Sequence, residues 1–112
     1  MLAVPDVPAT AAWYARVLGF EVLETQGAFW ALLRNGGAEL MLQNHPHWDG
    51  ANLHGQLYFY TDDARALFDA VRAAEPAITV VWPPKRQDYG MVDFAVLDLN
   101  GIMLTFGHDP DS

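Results

Sequence analysis

The sequence predicts an α+β fold built from two copies of one unit, each a strand, a helix and three further strands. Three observations carry that expectation. The 112 residues are 52% hydrophobic and 18% charged, enough apolar material for one core and too short a chain for two independent ones. The order strand, helix and three strands is read twice, each time with an aspartate just before the helix. Sliding the chain 64 positions along itself sets Ala31-Leu32-Leu33 on Ala95-Val96-Leu97, Gly37 on Gly101, Leu40 on Leu104 and Leu42 on Phe106. Copies this short cannot each enclose a core, so they are expected to pack together as a single domain. Module one covers about residues 1–47, module two about 52–107, and 108–112 form a tail.

Residues 2–4 form the first strand, stopped by Pro5. Asp6 offers a carboxylate to the free amides of the following helix. That helix runs through Ala11, Tyr14, Val17 and Leu18, whose spacings of three and four turn one apolar stripe to the core; Gly19 stands where a left-handed C-terminal residue is wanted. Trp13 reads as helix packing. Residues 20–25, 28–34 and 38–43 read as strands joined by tight turns at Gln26-Gly27 and Asn35-Gly36-Gly37. A loop over 44–52 leads to a strand at 57–61 and to Asp62, the expected second cap. The second helix buries Leu67, Phe68 and Val71 and stops at Pro76, which has no amide hydrogen and clashes with the preceding turn. Strands at 78–82, 91–97 and 102–107 complete the copy, with a loop at 83–90 and a turn at 98–101.

Charge and composition narrow the function. Fourteen acidic against six basic residues give a net charge of -8, a field that repels polyanions, so no nucleic-acid partner is expected. Cys is absent, which removes disulfides, thiolate nucleophiles and Cys-based zinc sites; any transition metal would need His and carboxylates. No apolar run approaches the ~20 residues of a membrane span and the start lacks a signal-peptide pattern, so no membrane partner and a cytoplasmic location are expected. Ser occurs only at Ser112, which disfavours triad-type acyl transfer. No glycine pattern forms a phosphate-binding loop.

Three stretches together resemble the vicinal oxygen chelate superfamily, which includes glyoxalases, extradiol dioxygenases and bleomycin resistance proteins. They are Val4-Pro5-Asp6 leading to Trp13-Tyr14-Ala15-Arg16-Val17-Leu18-Gly19-Phe20, then Thr61-Asp62-Asp63, then the run from Tyr89-Gly90-Met91-Val92-Asp93-Phe94 to Asp98-Leu99-Asn100-Gly101. The resemblance covers residues 1–107. It implies the glyoxalase/bleomycin resistance fold: two βαβββ modules, each a curled mixed sheet carrying one helix, with a homodimer enclosing cavities between sheet concavities.

Enzymes of the superfamily hold a divalent metal with His, Glu or Gln from the first and last strands of the modules. By the resemblance, the first-strand position of module two falls on Gln56, six residues before Asp62, and the last-strand position on Thr105, four after Gly101. The corresponding last-strand position of module one is Met41, with Glu39 and Gln43 on the same face; its first-strand position falls before Met1. An amide, a hydroxyl and a thioether are poor substitutes for imidazole and carboxylate. The metal candidates that remain are His45 and His47, two apart in a Pro-containing loop, His54, on the Gln56 side of its strand, and Glu39. His108 reads as part of a solvated tail with Asp109 and Asp111.

The ending at 89–107, with Phe106, looks closer to bleomycin resistance proteins than to the glyoxalase ending with Glu. The resemblance therefore implies a non-catalytic small-molecule binding protein that needs no cofactor and sequesters a cationic or aromatic antibiotic-like ligand in a homodimer. Trp48, Tyr58 and Trp82 are expected to stack on such a ligand, and Trp30 borders the same space. Glu39, Gln43, Gln56 and Thr105 would orient it, Met41 and Met103 would supply adaptable wall, and the loop at 83–88, with Lys85 and Arg86, would form a rim. The alternative is a metal-dependent lyase, isomerase or dioxygenase acting on a small oxygen-rich substrate.

Overall fold

The structure, a computed structural model, describes residues 2–44 and 56–111. The chain divides into two compact units, residues 1–53 and 54–112. The first contains β1 (Leu2–Val4), α1 (Val7–Leu18), β2 (Glu21–Gln26), β3 (Trp30–Asn35) and β4 (Ala38–Asn44), and the second β5 (Gln56–Tyr60), α2 (Ala64–Ala74), β6 (Val80–Arg86), β7 (Val92–Leu97) and β8 (Met103–His108). Each unit holds one four-stranded sheet, ordered β1-β4-β3-β2 and β5-β8-β7-β6. The first strand of each runs parallel to the last, and the other pairings are antiparallel. This is the α+β arrangement of two mixed sheets and two helices that the repeated element order predicts.

Helix α1 starts where its chemistry allows. Asp6 is extended and its carboxylate accepts from the Ala9 amide at 3.0 Å, while Pro8 in the first turn has no amide to satisfy. Gly19 ends the helix in the left-handed conformation, at φ 75°. Tyr14 is fully buried and meets Trp13 and Phe20 edge-on, so Trp13 does serve packing. Against α1 lies the buried row Val4, Ala31, Leu33, Leu40 and Leu42.

In α2 the cap is Asp63, correcting the expected Asp62. Its Oδ1 accepts from the Arg65 and Ala66 amides, each at 3.1 Å. The next amide back, Ala64, donates to His108 Nδ1 at 2.9 Å. His108 is therefore not a solvated tail residue: it ends β8, is half-buried, and supplies an acceptor that lets the helix begin one residue later. The helix closes at Ala74 with Glu75 as C-cap, just ahead of Pro76. Val71 is buried, whereas Leu67 and Phe68 are only half-buried. Phe68 meets Phe94 edge-on at 5.2 Å, and Phe94, Phe106 and Phe59 continue as a stacked row. That row identifies the helix-facing side of the second sheet.

The two units repeat, but not at one constant offset. Leu33 pairs with Leu40 and Ala31 with Leu42 in the first sheet; Val96 pairs with Leu104 and Phe94 with Phe106 in the second. Leu40 and Leu42 thus match Leu104 and Phe106 at the 64-residue offset, whereas Ala31-Leu32-Leu33 matches Phe94-Ala95-Val96, one residue earlier than expected. The turn after β7 holds one residue more, closed by Asp98 Oδ1 accepting from the Asn100 and Ile102 amides and by Gly101 at φ 83°. A slip of one would have turned every side chain of the strand to the wrong face.

A second difference concerns β6, which extends through Pro83 and Pro84 to Arg86 where a loop was expected. It is the outer strand of its sheet, the one setting in which a proline without an amide hydrogen is tolerated. Its register on β7 shifts between Val80 and Trp82 and again between Trp82 and Lys85. These irregularities re-aim Trp82. The expected rim at 83–88 is thus mostly strand, with only Gln87 and Asp88 outside it.

Candidate functional site

Strand alternation leaves the second sheet a face opposite α2, carrying Gln56, Tyr58 and Tyr60 of β5, Met103, Thr105 and Gly107 of β8, and Asp93 and Ala95 of β7. Toward one end of it, beside Gly107 and Tyr60, lies Asp93, with no exposed surface at all (0%). A buried carboxylate is costly unless its lone pairs are taken up. Here they are filled symmetrically. Oδ1 accepts from Trp82 Nε1 at 3.0 Å and from Gln87 Nε2 at 2.8 Å. Oδ2 accepts from the Tyr58 hydroxyl at 3.2 Å and from the Tyr89 hydroxyl. Four donors are the full complement an ionised carboxylate takes.

The geometry depends on Gly107. It pairs directly with Asp93, and Tyr58 reaches across it from β5. A Cβ at Gly107 would stand 2.2 Å from the Tyr58 hydroxyl oxygen and 3.0 Å from its ring carbon Cζ. The missing side chain therefore opens the passage through which the tyrosine reaches the carboxylate.

Burial alone would raise the Asp93 pKa, but hydrogen bonds from Tyr89, Gln87, Trp82 and Tyr58 outweigh it and hold the group below its ordinary value of 3.8. The tyrosines respond in the opposite sense. Loss of hydration at its hydroxyl, followed by the Asp93 charge and hydrogen bond, pushes Tyr58 up to about 12. Tyr89 is pushed higher still, by the same loss of hydration and by its bond to Asp93. Their rings nonetheless stay open to solvent, at 43% for Tyr58 and 63% for Tyr89. Tyr60, 83% exposed, lies tilted against Tyr58 at 5.5 Å.

The structure brings five of the residues expected from the sequence to this one face or its border. Gln56 and Tyr58 are exposed, Met103 and Trp82 half-buried, and Thr105 buried opposite Tyr58. Gln56 owes its orientation to the pairing with Met103 and not to its distance from the helix cap. Glu39, Met41 and Gln43 share the face of the first sheet turned away from its buried row, opposite Arg34, Leu32 and Trp30 respectively. There Trp30 Nε1 donates to Gln26 Oε1 at 2.8 Å, and Arg34 faces Glu21 at 3.9 Å on the surface. His45, His47, Trp48 and His54 lie outside the described residues.

The described donors do not fit a divalent metal. Gln56 and Thr105 offer one neutral amide and one hydroxyl, the only carboxylate on their face among the described residues is Asp93, already saturated by four donors, and Glu39 stands beside a thioether and an amide. Among the described residues no three His, Asp or Glu side chains gather closely enough to hold an ion.

Sequence reasoning missed Asp93, Tyr89 and Gly107, and placed Gln87 only within a rim. The signal was present in Val92-Asp93-Phe94-Ala95-Val96, where one carboxylate interrupts a strand that is otherwise apolar on both faces. Such a residue must find donors. Which donors reach it follows from the bulges of β6 and the passage over Gly107, and neither is written in the local pattern.

Comparison with known proteins agrees with this architecture. The family model described as Glyoxalase/Bleomycin resistance protein/Dioxygenase superfamily matches residues 1–106. No curated protein matches the chain by sequence. Among solved structures, TioX from Micromonospora sp. ML1 is similar at 26% identity over 96% of this chain and 94% of that one, with a TM-score of 0.82. A bleomycin-binding protein from bleomycin-producing Streptomyces verticillus, solved with copper(II)-bleomycin, is 26% identical over 94% of this chain and 88% of that one, with a TM-score of 0.73. A bleomycin resistance determinant encoded on the transposon Tn5 shares the fold at 24% identity, covering 97% and 93% of the two chains with a TM-score of 0.79.

Proposed function

The chain belongs to the glyoxalase/bleomycin resistance protein/dioxygenase superfamily, and from that premise we propose that it is a non-catalytic binding protein that sequesters a small cationic or aromatic molecule. The observation that carries the reading is the face around Asp93, where a buried carboxylate holds Tyr58, Tyr89 and Trp82 side by side. Fixed aromatic rings offer flat surfaces for stacking, and an unneutralised anion behind them favours positive charge. Lys85 stands across from Asp93 in the strand register, but among the described residues no Lys, Arg or His forms an ion pair with it, and the chain as a whole carries a net charge of -8. The bleomycin complex of the Streptomyces protein supports a ligand of this kind. Gln56, Thr105 and Met103 add polar and adaptable edges to the face, Glu39, Met41 and Gln43 do the same on the first sheet, and two copies of the chain together enclose the ligand.

A catalytic reading lacks equipment among the described residues: Asp93 is saturated and its tyrosines hold their protons well above neutral pH, so none of these groups is poised for proton transfer. The direct test is calorimetric titration with bleomycin and with flat cationic heteroaromatics, together with thermal melts. Saturable binding, with a melting temperature that climbs with the logarithm of ligand concentration, is expected. Absence of binding by every such compound, or stoichiometric metal with turnover of an oxygen-rich substrate, would overturn the proposal. Sedimentation equilibrium checks the homodimer.

A further inference from the structure

The four donors on Asp93 are not equivalent, and the difference specifies what a ligand must carry. Trp82 and Gln87 use N–H groups on Oδ1, and an N–H that has donated offers nothing further. Tyr58 and Tyr89 use hydroxyls on Oδ2, and a hydroxyl that has donated keeps its oxygen lone pairs. Both hydroxyls therefore keep acceptor capacity, polarised by the carboxylate behind them, and they lie within hydrogen-bonding reach of each other, Tyr58 on the accepting side, so the two act as one pair. Asp93 itself has 0% exposure while Tyr58 and Tyr89 are exposed residues, so a cation approaching this face meets the tyrosines and never the carboxylate.

We propose that the Tyr58 and Tyr89 hydroxyls form a paired acceptor that selects a cation bearing N–H groups, an ammonium, amidinium or guanidinium attached to a flat ring, over a fully alkylated one. This rests on the binding reading above and deepens it. Charge alone does not distinguish the two kinds of cation, since an aromatic face attracts both. Two directed acceptors do distinguish them, because only the N–H cation can donate. Gly107 is the positioning residue, since any side chain there occupies the place of the Tyr58 hydroxyl.

Three probes separate the terms: 2-phenylethylammonium, its N,N,N-trimethyl analogue and neutral 2-phenylethanol, titrated into the full chain and followed by tyrosine ring NMR shifts. The primary ammonium should bind about tenfold more tightly than the trimethyl analogue, a ratio set by one charge-assisted hydrogen bond. In Tyr58→Phe and in Tyr89→Phe that ratio should fall toward one. Gly107→Ala keeps the hydroxyl but displaces it, and should give the same collapse without removing any aromatic ring. Equal binding of the two cations by the parent chain, or a ratio that survives in both Phe variants, would overturn the proposal. If neutral and cationic probes bind alike, this inference fails and the aromatic binding face stands; if none of the three binds at millimolar concentration, this inference fails, while the binding reading stands or falls with the bleomycin and heteroaromatic titrations.

Discussion

The two sheets share strand order and pairing, yet they differ at one matched place. The first carries Trp30 opposite Gln43, and the second carries Asp93 opposite Gly107. On the first, a half-buried indole bonds one exposed glutamine and the neighbouring charges pair loosely at the surface. On the second, removing bulk from β8 and placing a carboxylate on β7 draws four side chains inward. The comparison teaches that element order and the helix-facing row specify the architecture, while the opposite face, on which the proposed binding site lies, differs between the sheets at a few positions the architecture leaves free.

The largest expected effect tests that contrast directly. Asp93→Ala strands four donors at once and should cost about 2–4 kcal/mol in urea unfolding, whereas Trp30→Ala, which trims a half-buried ring, should cost about 1–2 kcal/mol. Equal losses would mean that the carboxylate is no organising centre. Gly107→Ala follows at about 1–2 kcal/mol, since its backbone conformation suits alanine and the loss comes from expelling Tyr58; Gln43→Ala, an exposed change, should move stability by less than about 0.5 kcal/mol.

Titration sharpens the same comparison. Asp93 sits below its ordinary pKa in the folded chain, so the unfolded chain takes up protons first as the solution is acidified. Its stabilisation is complete above the unfolded value of 3.8 and drains away below it as pH falls through the folded value. Tyr58 has the opposite sign: raised to about 12 from 10.0, it stabilises fully below pH 10.0 and loses that contribution as pH climbs toward 12. Stability–pH curves of the parent and Tyr58→Phe should therefore separate on the alkaline side. Coincident curves would deny the coupling.

A modest effect concerns the helix starts. Asn44 Nδ2 donates to the Pro5 carbonyl at 3.2 Å, and His108, the matching strand end, accepts from the Ala64 amide. His108→Ala should cost about 0.5–1.5 kcal/mol, the range of a lost N-terminal cap, and proton exchange at the Ala64 amide should quicken.

Much of this was legible beforehand, for identifiable reasons. Asp6 and Gly19 announce α1 because capping is local chemistry, and Leu40 with Leu104 announces the repeat because buried rows alternate. What escaped depends on distant pieces. Asp62 and Asp63 are adjacent and equally good caps, and the choice between them goes with His108, more than forty residues away. A turn longer by one residue shifts Ala31 onto Phe94 without changing the hydrophobic pattern. Gln56, Tyr58 and Thr105 could be assigned a face from alternation, but Asp93 could not be assigned partners, since they come from β5, β6 and the segment that precedes β7.

The prolines of β6 have a consequence beyond aiming Trp82. An outer strand with free amides is a template on which a second extended chain can grow, the first step toward fibrils. Pro83 and Pro84 place two consecutive positions without amide hydrogens in that strand. The sheet can thus keep an aromatic, partly apolar face exposed while its β6 margin resists recruitment by other strands, a safeguard that becomes more valuable as protein concentration rises.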